Sequence, residues 1–401
     1  MTNLAFAEVL TEKRRISAID ITRGLVMLIM ALDHTRDFYH ADAFLYNPTD
    51  LAKTTPIVFL TRFVTHFCAP TFVLLAGVSV RLSEERKTKK ALSLFLLTRG
   101  LWLIFLEMTV IRFGLLFQFY YDMTIFQVIW ALGISMVLLS AIIHFPFKVV
   151  LVMGILITFF HDLLHAISLQ PGDPFVLAWS LIHQFNFLEI LPGRFALTAY
   201  PFLPWFGIMI LGYCMGEWYR QGHDPELRQK FLLRTGISAF VLFLILRYLN
   251  LYGDPAPWSQ QSNAVYTLMS FINVTKYPVS LLYTLLTLGP VLILLSLLEK
   301  LNTRPLHPLA VVGRVPLFYY ILHFFLIHGG AIVLYMIHTG KRLSEIDFHF
   351  NSSFGGIPPG YGYSLIWVYV AWATVVAILY PLCLWYYQYK STHKQAWLSY
   401  L

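Results

Sequence analysis

Ten apolar runs of helix length recur along this chain, near residues 17–38, 57–80, 91–116, 124–144, 147–166, 200–219, 231–251, 278–298, 308–337 and 362–388. A helix needs about 20 such residues to cross the hydrocarbon of a bilayer, and each run has that length or close to it. Only 12% of the 401 residues are charged, against roughly 25% in a soluble domain. The pattern predicts an all-α fold: a polytopic integral membrane bundle of about ten transmembrane helices.

Basic residues orient the bundle. With ten spans, Lys13, Arg14 and Arg15, the cluster Arg81–Lys90, Arg220, Arg228 and Lys230, Lys300 and Arg304, and Lys390 and Lys394 all fall on one side. The other side has only Lys53, Arg194, Lys276, Lys341 and Arg342, in much longer loops. The positive-inside rule then puts both termini in the cytoplasm. Residues 1–16 read as a cytoplasmic N-terminal segment, 17–388 as the membrane domain and 389–401 as a cytoplasmic tail. The long loops 39–56, 167–199, 252–277 and 338–361 become extracytoplasmic. The net charge of +8 sits in short clusters between apolar runs, which gives no nucleic-acid surface. Cys68, Cys214 and Cys383 lie inside apolar runs and read as small buried hydrophobes. No internal repeat is visible, which argues against inverted-repeat transporters.

The first run carries far more charge than a lipid-facing helix tolerates. Asp20, Arg23, Met27, Met30, His34 and Asp37 fall at three- and four-residue steps on one face. Charges near the bilayer centre cost a few kcal/mol each and turn towards a bundle interior or cavity. Arg23 and His34 are eleven residues apart, about three turns and roughly 16 Å. His34 suits proton transfer near neutral pH, and Asp37 one turn on can orient it. The alternative reading of the flanking charges makes Asp20–Arg23 and Asp33–Arg36–Asp37 interfacial ion pairs near the two membrane surfaces.

Other runs add polar groups. Arg62 and His66 share a face of the second, ahead of Pro70 and the small stretch Ala76-Gly77-Val78-Ser79. Glu107 in the third lies between Arg99 and Arg112 and is expected to pair with one of them. His161 and His165 have a metal-like i, i+4 spacing, but no third ligand is evident, so solvated histidines at an outer interface are expected and no metal is assigned. The ninth run contains Arg314, Pro316, Tyr320 and His323, the last of them deep in the apolar segment.

These segments look familiar together. Arg15-Ile-Ser-Ala-Ile-Asp20-Ile-Thr-Arg23-Gly24, Ala31-Leu-Asp33-His34-Thr-Arg36-Asp37, the stretch from Tyr200-Pro201 through Pro204-Trp205 to Gly212-Tyr213, and Arg314 to His323 resemble, in order, the heparan-alpha-glucosaminide N-acetyltransferase-like family of bacterial membrane proteins. Arg23, ten residues, then His34 also resembles the acyltransferase-3 family, where the histidine is the proposed catalytic residue. The resemblance implies acyl transfer from acetyl-CoA or another acyl-CoA to an extracytoplasmic or lipid-linked acceptor, a sugar or small molecule, in a bacterial inner membrane. It implies a catalytic set of His34, Asp37, Asp33 and His40, where His40-Ala41 echoes a catalytic loop histidine although the following Trp-Asn-Gly is absent. Donor binding would fall to Arg23, Arg99 and Arg314, and cavity lining to Arg36, Arg62, His66, Tyr320 and His323. The bilayer is the expected partner, with self-association into a homodimer left open. The competing reading is a proton-coupled or solute transporter using the same charged stripe, and a third is an idle scaffold.

Overall fold

The computed structural model describes residues 17–393 and 395–400. The expected 1–16 segment, with Lys13, Arg14 and Arg15, lies outside the described residues, as does Lys394. Ten long helical elements follow, one at each expected run: α1 Ser17–Tyr39, α2 Pro56–Ser83, α3 Lys89–Leu116, α4 Val128–Ile142, α5 Phe147–Ala166, α6 Phe202–Met215, α7 Pro225–Leu249, α8 Leu281–Leu298, α9 in two pieces (His307–Arg314 and Pro316–Thr339) and α10 Leu365–Thr392. Among the described residues, seven are long and apolar enough to span a membrane. The other three depart for visible reasons. α1 is too charged, and α4 and α6 are shorter. The chain is an all-α membrane bundle.

Short irregularities fall where the sequence provides for them. α2 passes through a 3-10 turn at Thr65–Phe67, just before Pro70. α3 holds a π turn at Glu107–Ile111. α9 breaks at Val315 because Pro316 has no N–H to continue the ladder. α4 begins at Val128, later than expected, because residues before it form a strand. That strand, β1 (Met123–Ile125), pairs parallel with β3 (Arg194–Thr198), and β2 (Asn186–Leu191) pairs antiparallel with β3. The resulting three-stranded sheet was not foreseen. It lies at the end of the bundle that carries the long loops. α10 continues past the expected boundary at 388.

Reciprocal glycines set the closest helix contacts. Gly24 meets Gly313 where α1 crosses α9, Gly77 meets Gly212 between α2 and α6, Gly100 meets Gly133 between α3 and α4, and Gly236 meets Gly289 between α7 and α8. A Cβ on Gly24 would lie 1.9 Å from the Leu309 carbonyl oxygen, and one on Gly313 would lie 1.9 Å from that of Asp20. Only hydrogen fits there, and in lipid such close packing replaces the missing hydrophobic drive. α1 thus becomes an interior helix, packed on α9, α10, α2 and α8. Trp372 of α10 donates its indole N–H to the Leu28 carbonyl at 2.8 Å. Burying α1 on all sides is what lets it carry charge.

Candidate active site

At the end of the bundle bearing the basic clusters, charge is shared between helices. Asp20 lies 3.5 Å from Arg23 and 3.3 Å from Arg314, joining α1 to α9. Arg23 also donates to Ser79 Oγ at 3.1 Å, and Arg314 donates to the Tyr387 hydroxyl at 2.5 Å. Arg81 pairs with Glu84 and Glu217, and Arg228 with Glu299, at the same end. Between these helices opens a cavity of about 320 Å³. Arg23, Arg99, Arg314 and Lys390 line it together with Ser79 and Ser83. Deeper walls are apolar, from Met27, Phe72, Leu96, Leu103 and Met136, and include Tyr320. Three arginines far apart in sequence therefore share one chamber.

One helical turn beyond Tyr320, α9 presents His323. It is fully buried, and its Nδ1–H donates to the Tyr320 carbonyl. That bond leaves Nε2 as the lone-pair nitrogen, and Nε2 has no hydrogen-bond partner. The His323 ring lies 5.2 Å from the ring of His34, which also packs on Phe324 at 4.5 Å. His34 Nδ1 faces Asp37 Oδ2 at 3.7 Å. Neither histidine lines the cavity, although Met27 and Tyr320 do.

Past the histidine pair comes a layer of paired charges. Arg36 bonds Asp37 at 2.7 Å and lies 3.1 Å from Asp33, and Asp33 also pairs with Arg62. Arg62 donates to the Tyr277 hydroxyl at 3.2 Å, and Lys276 sits over the Tyr277 ring at 5.1 Å. Arg62 and His66 make no hydrogen bond to each other among the described residues, each having other neighbours. The His66 ring packs on Tyr283, whose hydroxyl donates to the His66 carbonyl at 2.7 Å. His40 stands apart, beyond the end of α1, where the chain forms a β-bridge to Tyr363. Burial is the largest influence on its imidazole and pulls its pKa below the ordinary value, with Asp42 opposing and Arg36 assisting.

A family model described as heparan-alpha-glucosaminide N-acetyltransferase, catalytic, matches residues 15–247. The chain belongs to this family. It is, in general terms, a transmembrane acetyltransferase. No curated protein matches it. The family match covers α1 to α7, so it includes Arg23, Arg99 and His34. The helices supplying Arg314, Tyr320, His323 and Lys390 follow it, and they complete the chamber of this acetyltransferase.

Two expectations need correction. Glu107 has no arginine partner among the described residues; its carboxylate accepts the Trp130 N–H at 3.0 Å. Arg112 instead donates to the carbonyls of Met123 at 2.7 Å and Gln118 at 3.0 Å. His161 is buried rather than solvated, 3.3 Å from His183, and Asp162 beside it accepts the Leu281 N–H at 2.9 Å in the first turn of α8. His183 lies in a loop far along the chain, so spacing within α5 gave no sign of it. Among the described residues no group of three or more His, Cys, Asp and Glu is arranged to hold a metal. Sequence reasoning also missed Lys390, Tyr387, Lys276 and Tyr277 as members of this polar interior. Aromatic and basic residues near helix ends were the available signal.

Proposed function

We propose that the protein moves an acetyl or other acyl group from acyl-CoA, bound at the basic end, to a glycan or small-molecule acceptor reached from the loop-rich end. The observation that carries this reading is the chamber, with basic groups at one end and apolar walls leading towards a histidine pair. Arg23, Arg99, Arg314 and Lys390 hold the phosphates of the donor, since guanidinium groups suit phosphate oxygens. The pantetheine arm follows the apolar walls. Three helical turns, roughly 16 Å, separate Arg23 from His34.

His34 acts as general base, with Asp37 steadying its protonated form. It removes the proton of an acceptor hydroxyl or amine, and it returns that proton to the departing thiolate. The polar layer of Asp33, Arg36, Arg62 and His66 borders the acceptor's route. His40, outside the helix and away from the pair, is the rival base. The basic end faces the cytoplasm, where acyl-CoA is made, and both termini lie there. The opening segment's likeness to bacterial members supports a bacterial inner membrane.

Donor binding tests this without knowledge of the acceptor. Acetyl-CoA and free CoA should bind saturably to purified protein in nanodiscs. Arg23→Ala should weaken both by about 1.5–3 kcal/mol, the worth of a charge-assisted hydrogen bond. No binding of either ligand by the wild type would sink the reading. Proton-coupled solute uptake into proteoliposomes, with no CoA binding, would favour the transporter instead.

A further inference from the structure

We propose that Tyr320 is a catalytic residue whose phenol O–H holds the carbonyl oxygen of the bound thioester as charge develops on it. This rests on the donor reading above. Three observations converge on the hydroxyl. Tyr320 lines the chamber, yet it is only 4% exposed and its hydroxyl has no hydrogen-bond partner. A buried hydroxyl without a partner has lost its water without recompense, so each such group calls for an explanation. Here a ligand oxygen arriving through the chamber supplies one.

The side chain is also fixed in place. Its ring meets those of His323 at 5.3 Å and Phe324 at 5.4 Å, and its own carbonyl accepts from His323. A donor held rigid before reaction needs no reorganisation when charge appears, which is the condition for electrostatic catalysis. Finally, Tyr320 stands between donor and base. It lines the chamber on one side, and His323 connects it to His34 on the other. A thioester coming along the chamber and a nucleophile activated at His34 meet next to this hydroxyl.

The step balances. The acceptor oxygen or nitrogen bonds to the thioester carbon while its proton passes to His34. The carbonyl π electrons move onto oxygen, which accepts the Tyr320 hydrogen bond. When the carbonyl re-forms, the C–S bond breaks and the thiolate takes the proton from His34. Tyr320 keeps its own proton throughout.

The neighbouring residue supplies the control. Tyr319 is fully buried and its hydroxyl is also without a partner, but it does not line the chamber. The experiment binds [1-¹³C]acetyl-CoA to the full-length protein in nanodiscs and records the thioester carbonyl stretch by difference infrared spectroscopy. Wild type and Tyr319→Phe should both lower the stretch relative to free acetyl-CoA. Tyr320→Phe should return it to the free position while its Kd stays within about threefold of wild type, and the matching fall in transfer is about 10²–10³-fold. An unshifted carbonyl in the wild type, or a shift kept by Tyr320→Phe, overturns the assignment and leaves the donor reading standing. A shift lost equally in Tyr319→Phe also overturns it. Absence of both acetyl-CoA and CoA binding from every variant overturns the donor reading, and the assignment with it.

Discussion

Gly24→Ala tests whether the α1–α9 crossing builds the basic chamber. The new Cβ would fall 1.9 Å from the Leu309 carbonyl oxygen and 2.7 Å from its carbon, both backbone atoms that cannot swing aside. To reach an ordinary contact of 3.4 Å the two helices must part by about 1.5 Å. Asp20 and Arg314 are 3.3 Å apart across this crossing, so the same movement takes them out of ion-pair range. Overpacking of a well-packed interior costs about 1–3 kcal/mol, and the separated charges add to it. Thermal unfolding of purified protein in detergent should therefore drop clearly, and CoA affinity should fall although no basic residue has changed. Gly329→Ala has open space around its Cβ and serves as the neutral control. Gly313→Ala should behave like Gly24→Ala, and the double variant should cost less than the sum, because one separation accommodates both methyl groups. A Gly24→Ala protein with wild-type stability and wild-type CoA binding would refute the reasoning.

Other consequences can be checked separately. His34→Ala should keep CoA binding while acyl transfer falls by about 10²–10⁴-fold; a normal rate, with transfer abolished instead by His40→Ala, would move the base into the loop. Single cysteines at Lys87 and Asn351 should label from opposite sides of the membrane, against a low background because the three native cysteines are buried. Labelling from one side would remove the topology. His183 lies in a loop, where burial, with His165 adding, lowers its pKa to about 4, against about 6.5 in an unfolded chain. Between pH 6.5 and 4 the unfolded chain takes up a proton that the native one refuses, so stability falls across that window and levels off below it. His183→Gln should flatten that part of the melting-temperature profile, and an unchanged slope would exclude His183 as its source.

Most helices were legible in the sequence because a lipid-crossing segment must meet the bilayer's length requirement alone. Even the odd element, charged α1, announced itself as interior, since its ionisable groups could not face lipid. The chamber was partly legible too. Arg23, Arg99 and Arg314 sit on the first, third and ninth of the expected runs, which would enter the bilayer from the same side. What could not be read was lateral order. Nothing local places His323 against His34, because the register between α1 and α9 is set by Gly24 and Gly313, 289 residues apart in the chain. Glu107 misled for a similar reason: the arginines nearest in sequence suggested an ion pair, whereas the Trp130 amide at the start of α4 was the group in reach. β1 was hidden at the start of the fourth apolar run, and β2 and β3, within the long 167–199 loop, are too short to show alternation.

The burial of α1 has a consequence for how the protein is made. Its charged groups leave the ribosome before the rest of the bundle, yet Arg314, which holds Asp20 across the crossing, lies 294 residues downstream. Arg62 reaches Asp33 after only 29 further residues and Ser79 reaches Arg23 after 56, so the contacts of α1 with α2 form early and the Asp20–Arg314 pair forms late. Until α9 is inserted Asp20 lacks the Arg314 side of its ion pairing, and an ionisable group facing hydrocarbon costs a few kcal/mol. The nascent first helix must therefore be kept out of bulk lipid, inside the insertion machinery or a half-built bundle, for most of translation. Truncations that stop before Gly313 should leave α1 weakly integrated and exposed to quality-control proteolysis, and chains extended through α9 should escape it.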